Sequence, residues 1–422
     1  NVGGGTQTVA LSGSIYNESD ELVQDVAVEL GSEQTEFPRS MATGIDGRFS
    51  FGELPMYEDY RVTPGKNDDL LNGVSTLDLV MIQRHILGLA QLESPYKLIA
   101  ADINNSQKVT AADLVELRKA VLGIQSGFTN NTSWRFVDVA YQFPDPANPF
   151  PFAENLSMSA LDHNVAGMDF IAVKVGDVNG SAKTSARSNP ETGSRSMLGL
   201  TTQSITGKAG EMVEAVINTD ELSNLLGMQM TLSFDRSIAE PVDVRSDVLS
   251  LHSENLGMQD VNQGKIHISW NSQNPISVNN RMLTIKFRLL VDVTDKQLVE
   301  LNNQGLAPEI YTLEASHLKS SLIRLENEGR VVPVADRFEV YQNVPNPFNA
   351  GTTIGFSLPQ AEKVTLKVFD VTGKMMYVTG GQFNKGYNSF TLDANALNLH
   401  GVLYYQIETG TDSATRKMII IK

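Results

Sequence analysis

Along most of the chain, apolar residues recur at every second position in short runs, broken by Gly, Asn, Asp and Pro. That alternation marks strands with one face buried. Residues 8–64 carry four such runs: Val9-Ala10-Leu11, Ala27-Val28-Glu29-Leu30, Phe49-Ser50-Phe51 and Tyr60-Arg61-Val62. Asp46-Gly47 supplies a hairpin-type turn before Arg48. The spacing predicts a small β-sandwich over residues 1–64. Residues 197–335 resume the alternation at 227–235, 265–270 and 282–287 and predict a second all-β domain. Residues 336–422 predict a third, with strands around 364–369, 403–408 and 418–421.

Between the first two, the period changes. Residues 65–125 carry two helical patterns, over 76–87 and 111–122. Each is followed by glycine, Gly88 or Gly123, a residue suited to the left-handed turn after a helix. Residues 126–182 read as an irregular extension. Its runs Phe143-Pro144-Asp145-Pro146 and Asn148-Pro149-Phe150-Pro151-Phe152 are extended loop, because each proline lacks a donor and restricts its predecessor. Residues 183–196 are polar and Ser-rich and read as a linker. The predicted class is therefore mainly β: several β-sandwich domains in tandem with a small α-helical module at 65–125.

The helical module is a repeat. Asn67, Asp69, Val74, Asp78 and Gly88 recur 35 residues later as Asp102, Asn104, Val109, Asp113 and Gly123. In the second copy, Asp102, Asn104, Ser106, Thr110 and Asp113 stand at positions 1, 3, 5, 9 and 12 of a loop, with the Lys108 carbonyl at position 7. That spacing wraps hard oxygen ligands around Ca²⁺, and fits it better than Mg²⁺, which prefers a smaller octahedron and keeps its waters. The first copy is poorer. Leu71 at position 5 has no ligand atom, leaving Asn67, Asp69, Gly73, Ser75 and Asp78 as candidates, with Asn72 placed to take the left-handed turn. Gln107 at the corresponding position of the second copy departs from the usual glycine. The same Asp, Asn and Ser residues also suit helix caps and turns. Calcium would act structurally, since about 60 residues form too small a core without a staple. Asp177-Val178-Asn179-Gly180-Ser181 resembles the start of a third loop, but Ser188 stands where its position-12 acid should be. It reads as a turn, with an auxiliary calcium ligand as the alternative.

Composition narrows the function. The 422 residues carry a net charge of −16, which argues against a nucleic-acid binder. No cysteine is present, which excludes disulfides and thiolate chemistry. No apolar run reaches the ~18–20 residues that span a bilayer. The chain begins at Asn1 with no Met and no signal peptide, so it is either processed or preceded by further residues. No catalytic constellation emerges. The histidines (85, 163, 252, 267, 317, 400) are scattered, and nucleophile-elbow, Walker and Rossmann signatures are missing. His85 reads as a packing or surface residue, and His267 is expected to face away from Ile266 and Ile268. Trp134, Trp270 and the Phe-rich run at 143–152 suit core packing or a sugar platform.

Several segments resemble known families. The repeat is similar to a type I dockerin, a calcium-dependent module that binds cohesins. Asp78-Leu79-Val80 with Arg84 and Ile86-Leu87-Gly88, and Asp113-Leu114-Val115 with Lys119 and Val121-Leu122-Gly123, carry the likeness. It implies that Thr76, Leu77, Ala111, Ala112, Arg84 and Lys119 face a partner, with a core position as the equal alternative for Leu77. Residues 197–335 resemble a cohesin, through Gly210-Glu211-Met212-Val213, the run 226–235, and Leu283-Thr284-Ile285-Lys286-Phe287. Residues 336–422 resemble the type IX secretion sorting domain of Bacteroidetes. The carriers include Gln342-Asn343-Val344-Pro345-Asn346-Pro347-Phe348-Asn349 and Val368-Phe369-Asp370-Val371-Thr372-Gly373. Residues 1–64 resemble prealbumin-like repeats of bacterial surface proteins. Together the resemblances imply a secreted, calcium-stabilised, non-catalytic protein of the outer cell surface or extracellular matrix, handled by the type IX secretion machinery. Its partners would be copies of itself or another cohesin- or dockerin-bearing surface protein, with assembly into filaments as one outcome. Two alternatives stand beside this: the non-catalytic C-terminal part of a larger secreted hydrolase, or an adhesin. Asn130-Asn131-Thr132 and Asp412-Ser413-Ala414 are short glycosylation-like triplets.

Overall fold

The computed structural model describes residues 7–185, 196–302, 305–327, 338–340, 343, 348, 351–393 and 401–420. It is mainly β and divides into two compact units, Asn1–Ser188 and Asn189–Lys422.

The first unit starts with β1 (Thr8–Tyr16), β2 (Ala27–Gly31), β3 (Arg39–Ala42), β4 (Arg48–Pro55) and β5 (Tyr60–Gly65). Then come α1 (Thr76–Ile86), α2 (Pro95–Ala101) and α3 (Ala111–Val121), followed by β6 (Trp134–Asp138), β7 (Leu156–Met158) and β8 (Phe170–Lys174). The strands form two sheets, ordered β4-β1-β8-β6 and β3-β2-β5-β7. Alternate residues of β1, β2, β4 and β5 point inward, so Leu11, Ile15, Val28, Leu30, Phe49, Tyr60 and Val62 share one core with Trp134, Phe136 and Phe170.

Residues 126–182 are therefore not an irregular extension beside a sandwich confined to 1–64. They supply β6, β7 and β8 and complete both sheets. The reason they escape sequence reading is physical. β8 lies between β1 and β6, and all five of its residues are buried, so it shows no alternation. β7 is only three residues long. The Asp46-Gly47 turn forms, with Gly47 N–H donating to Gly44 O (2.9 Å), but it is not a hairpin. β3 and β4 belong to different sheets, so the turn carries the chain from one to the other. The runs around Pro144 and Pro149 are neither helix nor strand.

The helix patterns are realised within a residue of their expected ends. Ser75 and Thr110 are the N-caps, each in a capping box with Asp78 or Asp113. Gly88 and Gly123 follow the helices at φ +69° and +71°. α2 is unforeseen. Ser94 caps it, Pro95 opens it, and Leu98, Ile99, Ala100 and Ala101 are buried.

The second unit holds β9 (Ser196–Thr202), β10 (Ile205–Gly207), β11 (Met212–Ser233), β12 (Ala239–Arg245), β13 (Leu256–Gly257), β14 (Lys265–Leu289), β15 (Val293–Lys296), β16 (Glu300–Leu301), β17 (Glu309–Glu314) and β18 (His317–Asn327). The long pair β11 and β14 runs antiparallel over most of its length, with register shifts that bend it. The main sheet runs β12-β14-β11-β17-β18-β9, and β9 also pairs with β11, so it curls onto itself. Met228, Met230, Ile266, Ile268, Trp270, Ile285 and Phe287 fill its core. His267 does face opposite to Ile266 and Ile268, but it too is buried. Its Nδ1 lies 2.9 Å from Thr231 Oγ1 and its Nε2 2.9 Å from Asp260 Oδ2. Thr231 is fully buried and its oxygen also accepts the Leu306 N–H (3.0 Å), so the chain of bonds ties strands together.

Further on, β19 (Glu339–Val340), β20 (Gly351–Leu358), β21 (Glu362–Phe369), β22 (Met375–Phe383), β23 (Gly386–Asp393), β24 (Gly401–Glu408) and β25 (Ser413–Ile420) form sheets ordered β19-β20-β23 and β22-β21-β24-β25. Ile354, Phe356, Leu366, Phe390 and Tyr405 lie in their core. Asn343 is buried, its N–H donating to Tyr405 Oη (2.9 Å). Of the Gln342–Asn349 run, residues 342, 344–347 and 349 lie outside the described residues, as do 186–195 of the expected linker, Ser188 within it, and His400.

Candidate metal centre

The second loop is closed by hydrogen bonds among its own backbone and side chains. Asp102 ends α2 and Thr110 caps α3, so the two helices fix both ends of the loop. Asp102 Oδ1 accepts the Ser106 N–H (2.8 Å) and its Oδ2 the Gln107 N–H (2.8 Å). Asn104 Oδ1 also accepts from Ser106 N–H (3.0 Å), and Ser106 Oγ donates to Lys108 O (3.2 Å). Asp113 closes the ring: Oδ1 accepts the Asn104 N–H (3.1 Å), Oδ2 the Thr110 N–H (2.8 Å) and hydroxyl (3.1 Å). The cap reading of Thr110 and Asp113 is thus realised through Oδ2, while Oδ1 of the same carboxylate reaches across the loop to the Asn104 N–H.

Electrostatics favour a cation here. Asp102 and Asp113 are both 0% exposed. Burial raises the Asp102 carboxyl above its ordinary range, opposed by its backbone N–H donors, and the Asp113 charge adds to the rise. Neither carboxylate pairs with a Lys or Arg among the described residues. Buried carboxylates without a cationic partner are the situation a bound cation relieves. Their donor set of carboxylate, amide, hydroxyl and carbonyl oxygens suits a hard cation of Ca²⁺ type. No three His, Cys, Asp or Glu side chains gather among the described residues, because each loop offers only carboxylate pairs. Its remaining oxygens are neutral.

The first loop departs from its expected ligand set. Ser75 N–H and hydroxyl donate to Asp78 Oδ2 (2.9 and 3.1 Å), as in the second. Asn67 and Asp69, however, are exposed and make no hydrogen bond to Asp78. Asn67 Oδ1 accepts the Ser133 N–H (2.9 Å) instead. The positive-φ residues of this loop are Asp69, at +37°, and Gly73, at +75°, not Asn72. Asp78 Oδ1 accepts from Val178 N–H (2.9 Å), and the Gly73 carbonyl from Ser181 Oγ (3.0 Å). Burial, with the Asp177 carboxylate beside it, pushes the Asp78 carboxyl well above the usual range. Burial likewise raises Asp177. Lys174 is buried too, donating to Leu70 O (3.0 Å), and burial lowers its ammonium to about 8 against the pull of the nearby carboxylates.

The positions aligned with a partner face divide. Thr76 is buried, Leu77 and Arg84 are half-buried, and Ala111, Ala112 and Lys119 are exposed. Exposed apolar side chains follow or flank the helices: Leu87, Leu89, Val115 and Ile124 are between 43% and 54% exposed. Trp134 and Trp270 are both 2% exposed, which makes them core residues. His85 is a packing residue whose Nδ1 accepts the Leu92 N–H (3.2 Å).

Residues 71–139 match the family model of the dockerin type I domain, and residues 198–307 that of the cohesin domain. Residues 340–422 match the secretion system C-terminal sorting domain. That last match indicates a secreted protein, and no helix among the described residues is long and apolar enough to cross a membrane. The other two are docking modules, and type I dockerins generally bind calcium. Among solved structures, the chain is similar to the seventh ScaB type I cohesin from Pseudobacteroides cellulosolvens, with 16% identity over 33% of this chain and 96% of that one (TM-score 0.25). A type II cohesin from Bacteroides cellulosolvens shows 14% identity over 31% and 99% (TM-score 0.24). A non-cellulosomal cohesin from Archaeoglobus fulgidus shows 14% over 31% and 87% (TM-score 0.20). No curated protein matches the chain.

Proposed function

We propose that this secreted chain is a calcium-stabilised, non-catalytic docking protein of the outer cell surface or matrix. Its helical module engages a cohesin, and its curled sandwich engages a dockerin. The observation that carries this reading is the presence of both complementary modules in one chain, at 71–139 and 198–307. A head-to-tail contact between copies does not close, and so builds a filament. Calcium at Asp102, Asn104, Ser106, Lys108, Thr110 and Asp113 holds α3 in place to present Ala111, Ala112, Val115 and Lys119. Three β domains carry the module: residues 1–64 with 126–182, residues 197–335, and residues 336–422, the last serving the type IX secretion machinery and surface retention.

Analytical ultracentrifugation of the full chain, in calcium and in EDTA, tests this. Self-docking predicts concentration-dependent species larger than a monomer in calcium that dissociate in EDTA. A monomer under both conditions at high concentration rejects self-assembly.

A further inference from the structure

We propose that the first calcium loop is not contiguous: Asp177, Asn179 and Ser181 supply its opening ligands, and Gly73, Ser75 and Asp78 its closing ones. The inference rests on the calcium reading and changes which residues hold the ion. The dockerin match, at 71–139, includes the closing half and stops short of the opening half.

Atom by atom, the two segments correspond to the contiguous loop. At position 1, Asp102 accepts the N–H groups of positions 5 and 6 at 2.8 and 2.8 Å; Asp177 accepts those of Ser181 and Ala182 at 3.1 and 2.7 Å. At position 5, Ser106 Oγ donates to the position-7 carbonyl of Lys108 at 3.2 Å; Ser181 Oγ donates to that of Gly73 at 3.0 Å, 108 positions away. At position 12, Asp113 Oδ1 accepts the Asn104 N–H of position 3 at 3.1 Å; Asp78 Oδ1 accepts the Asn179 N–H at 3.4 Å and that of Val178 at 2.9 Å. Position 4 is left-handed in both, Asn105 at φ +55° and Gly180 at +74°. Ser75 and Thr110 at position 9 cap their helices identically.

One further observation points to a ligand. The side-chain oxygen of Asn179, at position 3, is buried and has no hydrogen-bond partner. Its counterpart in the contiguous loop accepts the Ser106 N–H. That buried, unpartnered amide oxygen stands at position 3 of a loop whose position-1 and position-12 carboxylates, Asp177 and Asp78, are buried as well, and an amide oxygen and carboxylates are the donors a hard cation takes. The fold explains how the halves meet. β8 runs parallel to β1 in the sandwich, and the chain leaving it passes the start of α1. There Asn72 clamps Lys183, with Oδ1 accepting its N–H and Nδ2 donating to its carbonyl, both at 2.8 Å. The competing arrangement is that the buried Lys174 ammonium alone balances Asp78 and Asp177.

Calorimetric titration of the full chain with Ca²⁺, after EDTA treatment and dialysis, decides between them. The expected stoichiometry is two ions, falling to one in Asp177→Ala and to one in Asp102→Ala. Asn179→Ala removes only the unpartnered oxygen's amide, so it guards against misfolding of the Asp177 variant. It should weaken one of two sites by at least about tenfold. Two unchanged sites in Asn179→Ala and Asp177→Ala, or one wild-type site abolished by Asp102→Ala, would overturn the split loop. No uptake at all by the wild type would overturn the calcium reading itself.

Discussion

The two loops share the hydrogen bonds of positions 1, 5, 9 and 12 but reach them by different routes. In the loop at 102–113, one run of chain carries every candidate ligand, and helices at both ends set its geometry. At α1 the equivalent bonds join Asp177–Ala182 to Gly73–Asp78, and the sandwich brings the two together. Closing a long loop costs configurational entropy, but here the pairing of β8 with β1 has already met it. An oxygen cage thus needs the right atoms in the right places, and chain continuity is only one way to put them there. The energetic consequence differs. An ion in the contiguous loop steadies a local turn and α3, whereas an ion in the split loop joins the end of the sandwich to the start of the helical insertion.

The largest test of that contrast is metal removal. An ion present at 100 times its dissociation constant contributes about 2.7 kcal/mol per site. With two sites, EDTA should lower the melting temperature of the wild type markedly. Asp102→Ala and Asp177→Ala should each show about half that calcium-dependent shift. Differential scanning calorimetry with and without calcium reads it, and an unmoved transition in EDTA would refute calcium stabilisation at either loop.

Next in size is a substitution at the crossing point. Position 7 is Lys108 in the contiguous loop and Gly73 in the split one. A Cβ on Gly73 would lie 2.5 Å from Ala182 N and 2.8 Å from Asp177 Oδ2, at a φ of +75°. Gly73→Ala should therefore destabilise the first unit by about 2–4 kcal/mol. It should lose one ion and keep the other. Chemical denaturation beside calcium titration checks both. Equal loss from both sites would mean that the loops are not independent.

How much of this was legible in the sequence follows from the same contrast. Local patterns stand in the sequence: the helical periods that begin at Thr76 and Ala111, Gly88 and Gly123 as helix stops, and a series of oxygen-bearing residues from Asp102 to Asp113. The repeat of 35 residues places Asn67 and Asp69 in the ligand register of the first copy, whereas in the structure both are exposed and neither hydrogen-bonds Asp78. The signal for the alternative was present. The first copy had an end without a good beginning, with Leu71 at position 5, and Asp177-x-Asn179-x-Ser181 was a beginning without an end. Joining them requires knowing that β8 returns to β1, and β8 is buried on both faces, so no alternation reveals it. Burial also hid the completion of the N-terminal sandwich by 126–182, for the same reason.

The smallest prediction concerns position 6, where continuity itself leaves a trace. A contiguous loop must turn back sharply after position 5 to reach position 7, and Gln107 sits there at φ +65°. The split loop needs no such turn, because position 7 arrives on another segment, and Ala182 is absent from the left-handed residues. A left-handed conformation costs a residue with a Cβ about 1–2 kcal/mol, against about 0.5–1 kcal/mol of extra chain entropy lost by glycine on folding. Gln107→Gly should accordingly stabilise the first unit by somewhat under ~1 kcal/mol. Ala182→Gly, where no strain is relieved and a buried methyl is lost, should destabilise it by about 1 kcal/mol. Opposite signs at equivalent positions, measured by urea denaturation in calcium, are what two routes to one cage require; the same sign at both would mean that position 6 turns alike in each.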